Sequence, residues 1–190
     1  MPYTCPFTPD QKIIEIGGGP GLPGGEQPLF RPNIDVRPGP MVDIVHDLEQ
    51  TPWPLASHSY DGVYSSFCLE HVSYRRIGAF IEELYRILSP GGIAVLVTAD
   101  TYQQCLLATQ TPPELWGEWI SSMLFGDQNY SDNTHKVALS RSYAAKLFQA
   151  SGFYRVETLD HPGIMGPDGH QDVKTDFIIE AHKSRAQITY

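Results

Sequence analysis

The feature that most constrains the fold is a glycine-rich turn that directly follows a short apolar segment near the N-terminus. Residues 12–16 are β-branched and apolar apart from Glu15 and Lys12, a composition typical of a buried parallel strand. The glycines of the turn are Gly17, Gly18, Gly19 and Gly21. Backbone without Cβ atoms turns tightly and can lie against a ligand. Because ligands of open α/β sheets bind beyond the carboxyl ends of the strands, the turn predicts a nucleotide-like cofactor. A plain surface loop is the alternative.

The rest of the chain alternates between strand and helix patterns. The predicted strands are 12–16, 33–36, 42–46, 60–67, 93–97, 153–159 and 174–181. Apolar residues at helical spacing predict a helix over 77–88, and prolines or a serine cap predict others over 113–124 and 141–151. We expect one domain over 1–190, with a cofactor-binding half at 11–98, an aromatic-rich cap insertion at 99–140, and a C-terminal helix and strand pair at 141–183.

Composition excludes several classes of protein. Thirteen basic residues against 22 acidic ones give a net charge of −9, which would repel a nucleic-acid backbone. Three widely spaced cysteines without a CxxC pair favour reduced thiols over a disulfide scaffold. No segment approaches the roughly 18 apolar residues of a membrane helix, and no signal peptide is evident. We therefore expect a cytoplasmic protein without a nucleic-acid or membrane partner.

Acidic residues stand at or near the ends of three predicted strands. Asp35 is placed to accept hydrogen bonds from a ribose diol, although it could also be a turn acid before Arg37. Asp47 could accept from an adenine amino group while Leu48 packs on the ring, or it could simply cap a turn. Glu15 is costly inside an apolar strand unless it is paired, and we expect it to bind the glycine turn or a ligand amine.

In the order and spacing of these segments, the chain resembles the class I S-adenosylmethionine-dependent methyltransferases, and within them the methyltransferase type 11 group. The resemblance rests on the glycine-rich segment 15–21, on 33–36, on 43–48, and on 60–72 with the helix end 84–92. It implies an α/β fold: a Rossmann-like, doubly wound, mostly parallel seven-stranded sheet with one antiparallel strand and a helical cap insertion. Two departures are a short, proline-rich first crossover and the lack of N-terminal covering helices. They suggest a homodimer that closes its own pockets.

The resemblance also implies a function and a set of site residues. The cofactor would be S-adenosylmethionine, and the methyl group would pass to oxygen or nitrogen of a small-molecule acceptor. The implied cofactor-binding residues are Glu15, Gly17, Gly18, Gly19, Gly21, Asp35, Val36, Asp47, Leu48, Ser66 and Phe67. His71 and His135 are the candidate general bases, since histidine titrates in the right range. A structural role as a helix cap is an equal alternative for His71.

Rival interpretations of the same residues remain. Residues 19–24 fit the GxGxxG pattern of a dinucleotide-binding oxidoreductase, but prolines crowd the position where the helix should open. A degenerate, non-catalytic cofactor-binding or interaction domain is a second alternative. The loop residues His161, Asp168, His170 and Asp172 have irregular spacing within a Pro/Gly-rich stretch. We interpret them as solvated loop residues and expect no metal site.

Overall fold

The fold is organised around a seven-stranded sheet. The computed structural model describes residues 4–23, 27–161 and 175–185. The strands are β1 Ile13–Ile16, β2 Asn33–Asp35, β3 Ile44–Val45, β4 Tyr60–Ser66, β5 Leu88–Ala99, β6 Arg155–Asp160 and β7 Asp176–His182. Their order is β3-β2-β1-β4-β5-β7-β6, and β7 runs antiparallel to both of its neighbours while the other pairs are parallel. The Rossmann-like α/β fold, with its antiparallel strand, is therefore confirmed.

Four α-helices connect the strands of the described chain. They are α1 Ile77–Ile87, α2 Thr101–Gln110, α3 Gly117–Phe125 and α4 Arg141–Ala150, with short 3-10 helices at Leu69–His71 and Pro113–Leu115. Helix α1 ends one residue earlier than predicted, at Ile87. Strand β5 begins at Leu88 rather than at 93, because the stretch 89–92 pairs irregularly with β4 and extends the strand towards α1. None of the described helices has the length and apolar content needed to cross a membrane.

The main hydrophobic core lies on the face of the sheet that α1 and α4 cover. Every second residue of the central strands points into it, as the period of two requires. Its largest fully buried side chains are Phe80, Phe148, Phe177, Ile14, Ile16, Ile34, Leu69, Ile81, Leu84, Ile87, Leu88 and Leu96. This face anchors the two helices, so the carboxyl ends of β1, β2, β4 and β5 are held in fixed relative positions.

On the opposite face of the sheet, side chains of irregular segments rather than a helix pack against the strands in the described part of the chain. A small cluster there contains Val95, Val97 and Ile178, and Phe7 of the irregular N-terminal segment packs against it. Phe30, from the crossover after β1, contacts Phe7 with ring centroids 5.6 Å apart and Tyr64 at 5.3 Å. The described parts of the first crossover contain no helix, as their prolines and glycines predict, and aromatic side chains contribute cover in its place.

The cap was the least accurately predicted region. Helix α2 was missed because its sequence has no apolar stripe: Tyr102 and Leu106 are exposed, whereas Gln104 and Ala108 are buried. The helix expected over 113–124 begins at Gly117, since Pro113 opens only a 3-10 turn. The α4 prediction is confirmed, with the Ser140 hydroxyl accepting a hydrogen bond from the Tyr143 amide.

Candidate cofactor and acceptor site

The glycine turn is held in place by side chains of β2. Asn33 is fully buried, and its amide oxygen accepts a hydrogen bond from the Gly18 N–H at 3.1 Å. Its amide nitrogen donates to the carbonyls of Gly19 and Met41, both at 2.9 Å. The Gly17 N–H donates to the Ile34 carbonyl at 2.8 Å. The turn is thus preorganised by the neighbouring strand, and Asn33 is a positioning residue that sequence reasoning missed.

The first glycine of the turn has no room for a side chain. Gly17 adopts a φ of +71°, a left-handed conformation that L residues rarely adopt, and a Cβ there would lie 2.4 Å from the Cys68 sulfur. At Gly18 a Cβ would meet the Asn33 and Glu15 side chains below 3.0 Å. Gly21 packs against Met41 and lines neither of the cavities described below. Bare backbone at Gly17 and Gly18 therefore forms a floor on which a ligand can lie.

Asp35 ends β2 beside this floor and is only 4% exposed. One carboxylate oxygen accepts from the Gly19 N–H at 2.9 Å, and the other accepts from the Arg37 N–H at 2.8 Å. The Arg37 guanidinium lies 3.6 Å from the same carboxylate. Each carboxylate oxygen has a second lone pair, so the fixed carboxylate can still accept from a ligand hydroxyl. Asp35 is a buried, oriented acid rather than a solvated turn residue.

Glu15 serves the crossover that follows the glycine turn. Its carboxylate accepts hydrogen bonds from the Leu29 and Phe30 N–H groups at 2.6 and 2.7 Å. Both donors belong to the crossover, whereas the sequence predicts the glycine turn or a ligand amine as partners of Glu15. The buried acid thus folds residues 29–30 back over the end of β1, and it also lines the larger of two cavities at this sheet edge.

The larger cavity has a volume of about 350 Å³. It is bounded by the turn, the crossover and the end of β4. Its lining residues are Glu15, Gly17, Gly18, Gln27, Leu29, Tyr64, Ser66 and Phe67. Phe67 has a left-handed φ of 48°, which is costly for a bulky residue and is characteristic of functional sites. Ser66 and Phe67, both predicted from the sequence, therefore lie together with the first two glycines.

The smaller cavity, of about 80 Å³, lies on the other side of Cys68. Three more of the predicted cofactor-binding residues, Val36, Asp47 and Leu48, line it. Its lining residues are Val36, Asp47, Leu48, Glu49, Cys68, His71, Val72, Asp132 and Lys136. Asp47 accepts from the Glu49 N–H at 3.0 Å, so it caps a turn and also faces this cavity. The two expected roles of Asp47 are thus compatible.

The cap loop that follows α3 closes the smaller cavity from outside. Arg37 stacks on the Tyr130 ring at 4.0 Å, and Lys136 forms an ion pair with Glu49 at 3.2 Å. The Lys136 N–H also donates to the Glu70 carbonyl at 2.8 Å. In a chain without described N-terminal covering helices, these contacts show that its own cap covers part of the cleft.

The two candidate histidines are brought together across 64 positions of sequence. The rings of His71 and His135 have centroids 5.1 Å apart, and His71 Nδ1 donates to the Thr134 carbonyl at 3.1 Å. Burial lowers the pKa of both imidazoles, and in His135 the neighbouring His71 lowers the pKa further. Both rings are therefore kept neutral, and His71 presents Nε2 as a free acceptor.

Glu70, which sequence reasoning overlooked, lies beside the histidine pair. It is 2% exposed, and one carboxylate oxygen accepts from the Thr98 hydroxyl at 2.9 Å. Loss of hydration raises the pKa of Glu70 to about 7. The available sequence signal was the position of this acid in a short segment flanked by the apolar residues Leu69 and Val72. That signal is weak, because an exposed acid on the surface can have the same apolar neighbours in sequence.

A second pair of buried acids lies at the ends of β5 and β7. Asp100 caps α2 and is paired with Arg141 at 3.3 Å. Asp176 is 2% exposed, and its Oδ2 has no hydrogen-bond partner among the described residues; His161 Nδ1 lies 3.9 Å from it. The other members of the loop considered as a metal site, at 168, 170 and 172, lie outside the described residues.

Asp176→Asn is expected to change how stability depends on pH. Burial, with repulsion from Asp100, raises the pKa of Asp176 to about 6. An acid whose pKa is higher in the folded than in the unfolded chain contributes fully to stability below its pKa in the unfolded chain. This contribution is lost as pH rises through its pKa of about 6 in the folded chain. As pH rises from about 5 to about 7.5, the free energy of unfolding of the variant should therefore increase by about 1–3 kcal/mol relative to that of wild type. Urea unfolding at both pH values measures this; an unchanged difference would show that Asp176 does not titrate in this range.

Comparison with known proteins agrees with this architecture. A family model described as a methyltransferase domain matches residues 31–96. No curated protein matches the chain. A structure of a SAM-dependent methyltransferase, possible histamine N-methyltransferase, from Thermotoga maritima has a TM-score of 0.63 at 15% identity, covering 93% of this chain and 84% of that one. A SAM-dependent methyltransferase from Mesorhizobium loti has a TM-score of 0.60 at 16% identity, covering 91% of each chain.

A third structure contains a cofactor product. The Burkholderia thailandensis 1,6-didemethyltoxoflavin-N1-methyltransferase, with its substrate and S-adenosylhomocysteine bound, has a TM-score of 0.57 at 12% identity and covers 92% of this chain and 71% of that one. The structural similarities establish the fold, and the family model covers β2 to β5, the stretch that includes Asp35, Asp47 and His71. The chain therefore has the fold of the class I S-adenosylmethionine-dependent methyltransferases, and over residues 31–96 it matches the model of a methyltransferase domain.

Proposed function

We propose that the enzyme methylates nitrogen or oxygen of a small-molecule acceptor, at the junction of the two cavities. The observation that carries the proposal is that Asp35 adjoins residues of both cavities: the next residue, Val36, lines the smaller one, and Asp35 accepts from the N–H of Gly19, which follows Gly18 of the larger one. An elongated ligand with a ribose in its middle suits this arrangement. Cys68 lines the smaller cavity and touches the position of a Gly17 side chain, so it marks the junction.

Each part of the cofactor has chemically matched residues. Val36 and Leu48 would hold the adenine, with Asp47 near its amino group. Asp35 would accept from the ribose hydroxyls, because an oriented carboxylate accepts two hydrogen bonds. Gly17, Gly18 and Ser66 would line the methionyl part in the larger cavity. Glu15 supports this part by fixing the crossover at Leu29.

The bound cofactor supplies an electrophilic methyl carbon, whose bonding pair remains on sulfur when the acceptor forms the new bond. The chain's contribution is alignment, because displacement at carbon needs the nucleophile in line with the leaving group. A hydroxyl or ammonium acceptor must also lose a proton. We propose that the His71–His135 pair receives it, since neutral His71 presents a free ring nitrogen at the smaller cavity.

Three observations support a small acceptor. The smaller cavity is partly covered by the chain's own cap, with Asp132 and Lys136 in its wall. The acidic balance of the sequence disfavours a nucleic-acid acceptor. Two similar folds carry names of enzymes for small nitrogen-containing acceptors, histamine and 1,6-didemethyltoxoflavin. The homodimer stays a prediction, which the mass of the chain in solution tests.

The test is a calorimetric titration with S-adenosylmethionine, S-adenosylhomocysteine and NAD in parallel. We expect both adenosyl sulfur compounds to bind in the micromolar range and NAD not to bind. Binding of NAD alone would overturn the assignment in favour of an oxidoreductase. An acceptor screen on wild type and His71→Ala then tests the transfer: turnover should fall more than cofactor affinity. Cofactor binding without turnover on any amine or hydroxyl compound would favour a non-catalytic domain.

A further inference from the structure

We propose that Glu70, His71 and His135 form a binding site for a divalent transition-metal ion, with Zn²⁺ as the best match. One ligand atom from each side chain can be chosen so that all three lie within 4.8 Å of one another. The sequence reading predicted no metal ligands. The site escaped notice because His135 comes from the cap, far along the chain from the adjacent pair Glu70 and His71. The site's catalytic role rests on the proposed function, whereas its metal binding does not.

The three ligand atoms need to move only a short distance towards one another to bind one ion. Tetrahedral Zn²⁺ with bonds of about 2.1 Å places its ligand atoms about 3.4 Å apart. The three ligand atoms must therefore approach by at most about 1.4 Å from their separation within 4.8 Å. His135 lies on the loop between α3 and α4, outside regular secondary structure, so this side can move. Glu70 and His71 are fixed by the 3-10 helix after β4.

Both imidazoles have the backbone support that metal-binding histidines usually have. His71 Nδ1–H donates to the Thr134 carbonyl at 3.1 Å, which leaves the Nε2 lone pair available. A backbone hydrogen bond at Leu124 likewise involves the His135 ring. In metal sites such second contacts fix the tautomer and the ring orientation. The pair is therefore oriented before any ion binds.

The third ligand is a buried carboxylate that needs a positive partner or a proton. Glu70 is 2% exposed and accepts from the Thr98 hydroxyl, and the described residues provide no ion pair for it. An isolated buried carboxylate is strongly unfavourable. A divalent cation between Glu70 and the two histidines would compensate this charge.

Two cationic side chains near the cluster, Lys136 and Arg37, act on His71 as positive charges. Lys136 is paired with Glu49 at 3.2 Å, and Arg37 lies 3.6 Å from Asp35, so each positive charge has its own partner. Asp127 acts on both histidines with a negative charge. Because both cations have carboxylate partners of their own, Glu70 and Asp127 supply the negative charge that a bound ion would neutralise.

The ligand set indicates which ion and which role. Two histidines and one carboxylate are a set that Zn²⁺ accepts, and three protein ligands leave a coordination position open. His71 lines the smaller cavity, so the ion would lie at the wall of the cleft. There it would bind the acceptor's oxygen or nitrogen and lower its pKa. In the ion-bound enzyme, His71 and His135 are ligands rather than proton acceptors.

The experiment uses the full chain, stripped with a chelator and titrated with Zn²⁺ by calorimetry and with Co²⁺ by visible absorption. We expect one ion per chain and the absorption bands of Co²⁺ bound to nitrogen. Glu70→Gln and His135→Ala should each weaken Zn²⁺ binding at least tenfold. Thermal melts confirm that the variants are folded; Glu70→Gln keeps the side-chain volume, and His135→Ala changes only the cap loop.

His182→Ala is the matched control. His182 also adjoins a carboxylate, Glu180 at 2.8 Å, but at the opposite edge of the sheet. Its removal should leave Zn²⁺ affinity unchanged. No stoichiometric binding, or equal losses in all three variants, would overturn the proposal.

Titration of the stripped and the Zn²⁺-loaded chain with S-adenosylhomocysteine separates this proposal from the proposed function. Cofactor product binding with no metal binding would refute the metal site and leave the methyltransferase site in place. Stoichiometric metal binding without any binding of S-adenosylhomocysteine would support the metal site and contradict the assigned cofactor cleft.

Discussion

Gly17→Ala is expected to abolish measurable binding of S-adenosylhomocysteine and to lower the free energy of unfolding by at least about 2 kcal/mol. Two effects add at this position. The φ of +71° is unfavourable for alanine, and the new Cβ would lie 2.4 Å from the Cys68 sulfur. Relief of that contact would move either the turn or Cys68, which lines the smaller cavity. Calorimetry and urea unfolding measure the two losses.

Gly78→Ala is the matched control for this substitution. Gly78 lies within α1, and a Cβ there would meet nothing within 4 Å. Alanine is favoured over glycine in a helix by up to about 1 kcal/mol, so this variant should be slightly more stable and should bind normally. If Gly17→Ala behaved like Gly78→Ala, the turn would not be the rigid floor that the structure describes.

The glycine turn shows what the sequence could predict. A β-branched segment followed by four glycines within five residues is typical of a buried strand that ends in a tight, ligand-binding turn. The pattern therefore predicts the strand, the turn and the edge of the sheet where a cofactor would bind. The same holds for Asp35, Asp47 and Leu48, which stand at strand ends and therefore share one edge. These predictions depend on local pattern and on the rule that parallel strands end at the same side of a sheet.

The parts that were missed depend on contacts between distant segments. Asn33 holds the glycine turn through bonds that only the β1–β2 register creates. Glu70 joins His135 because the cap folds back across the sheet edge, and no spacing rule fixes where a loop of that length returns. Helix α2 has no apolar stripe, since the cap buries Gln104 beside Ala108, so periodicity could not reveal it.

Asp35→Ala is expected to weaken binding of S-adenosylhomocysteine at least tenfold, which corresponds to about 1.4 kcal/mol. We propose that the carboxylate accepts from the ribose, but it also accepts from the Gly19 and Arg37 N–H groups. Loss of affinity alone would therefore not distinguish a direct contact from a loosened turn. Asp35→Asn keeps the size of the side chain and one oxygen acceptor, so its loss should be smaller.

A double-mutant cycle with an altered ligand separates the two causes. The second ligand is S-adenosylhomocysteine without its ribose 2′ and 3′ hydroxyls. If Asp35 accepts from those hydroxyls, wild type should discriminate against this analogue, and Asp35→Ala should bind both ligands about equally, because the interaction has already been removed. If the variant discriminates as strongly as wild type, Asp35 acts on the glycine turn alone. The ribose would then have to be bound by another residue at the edge between the two cavities.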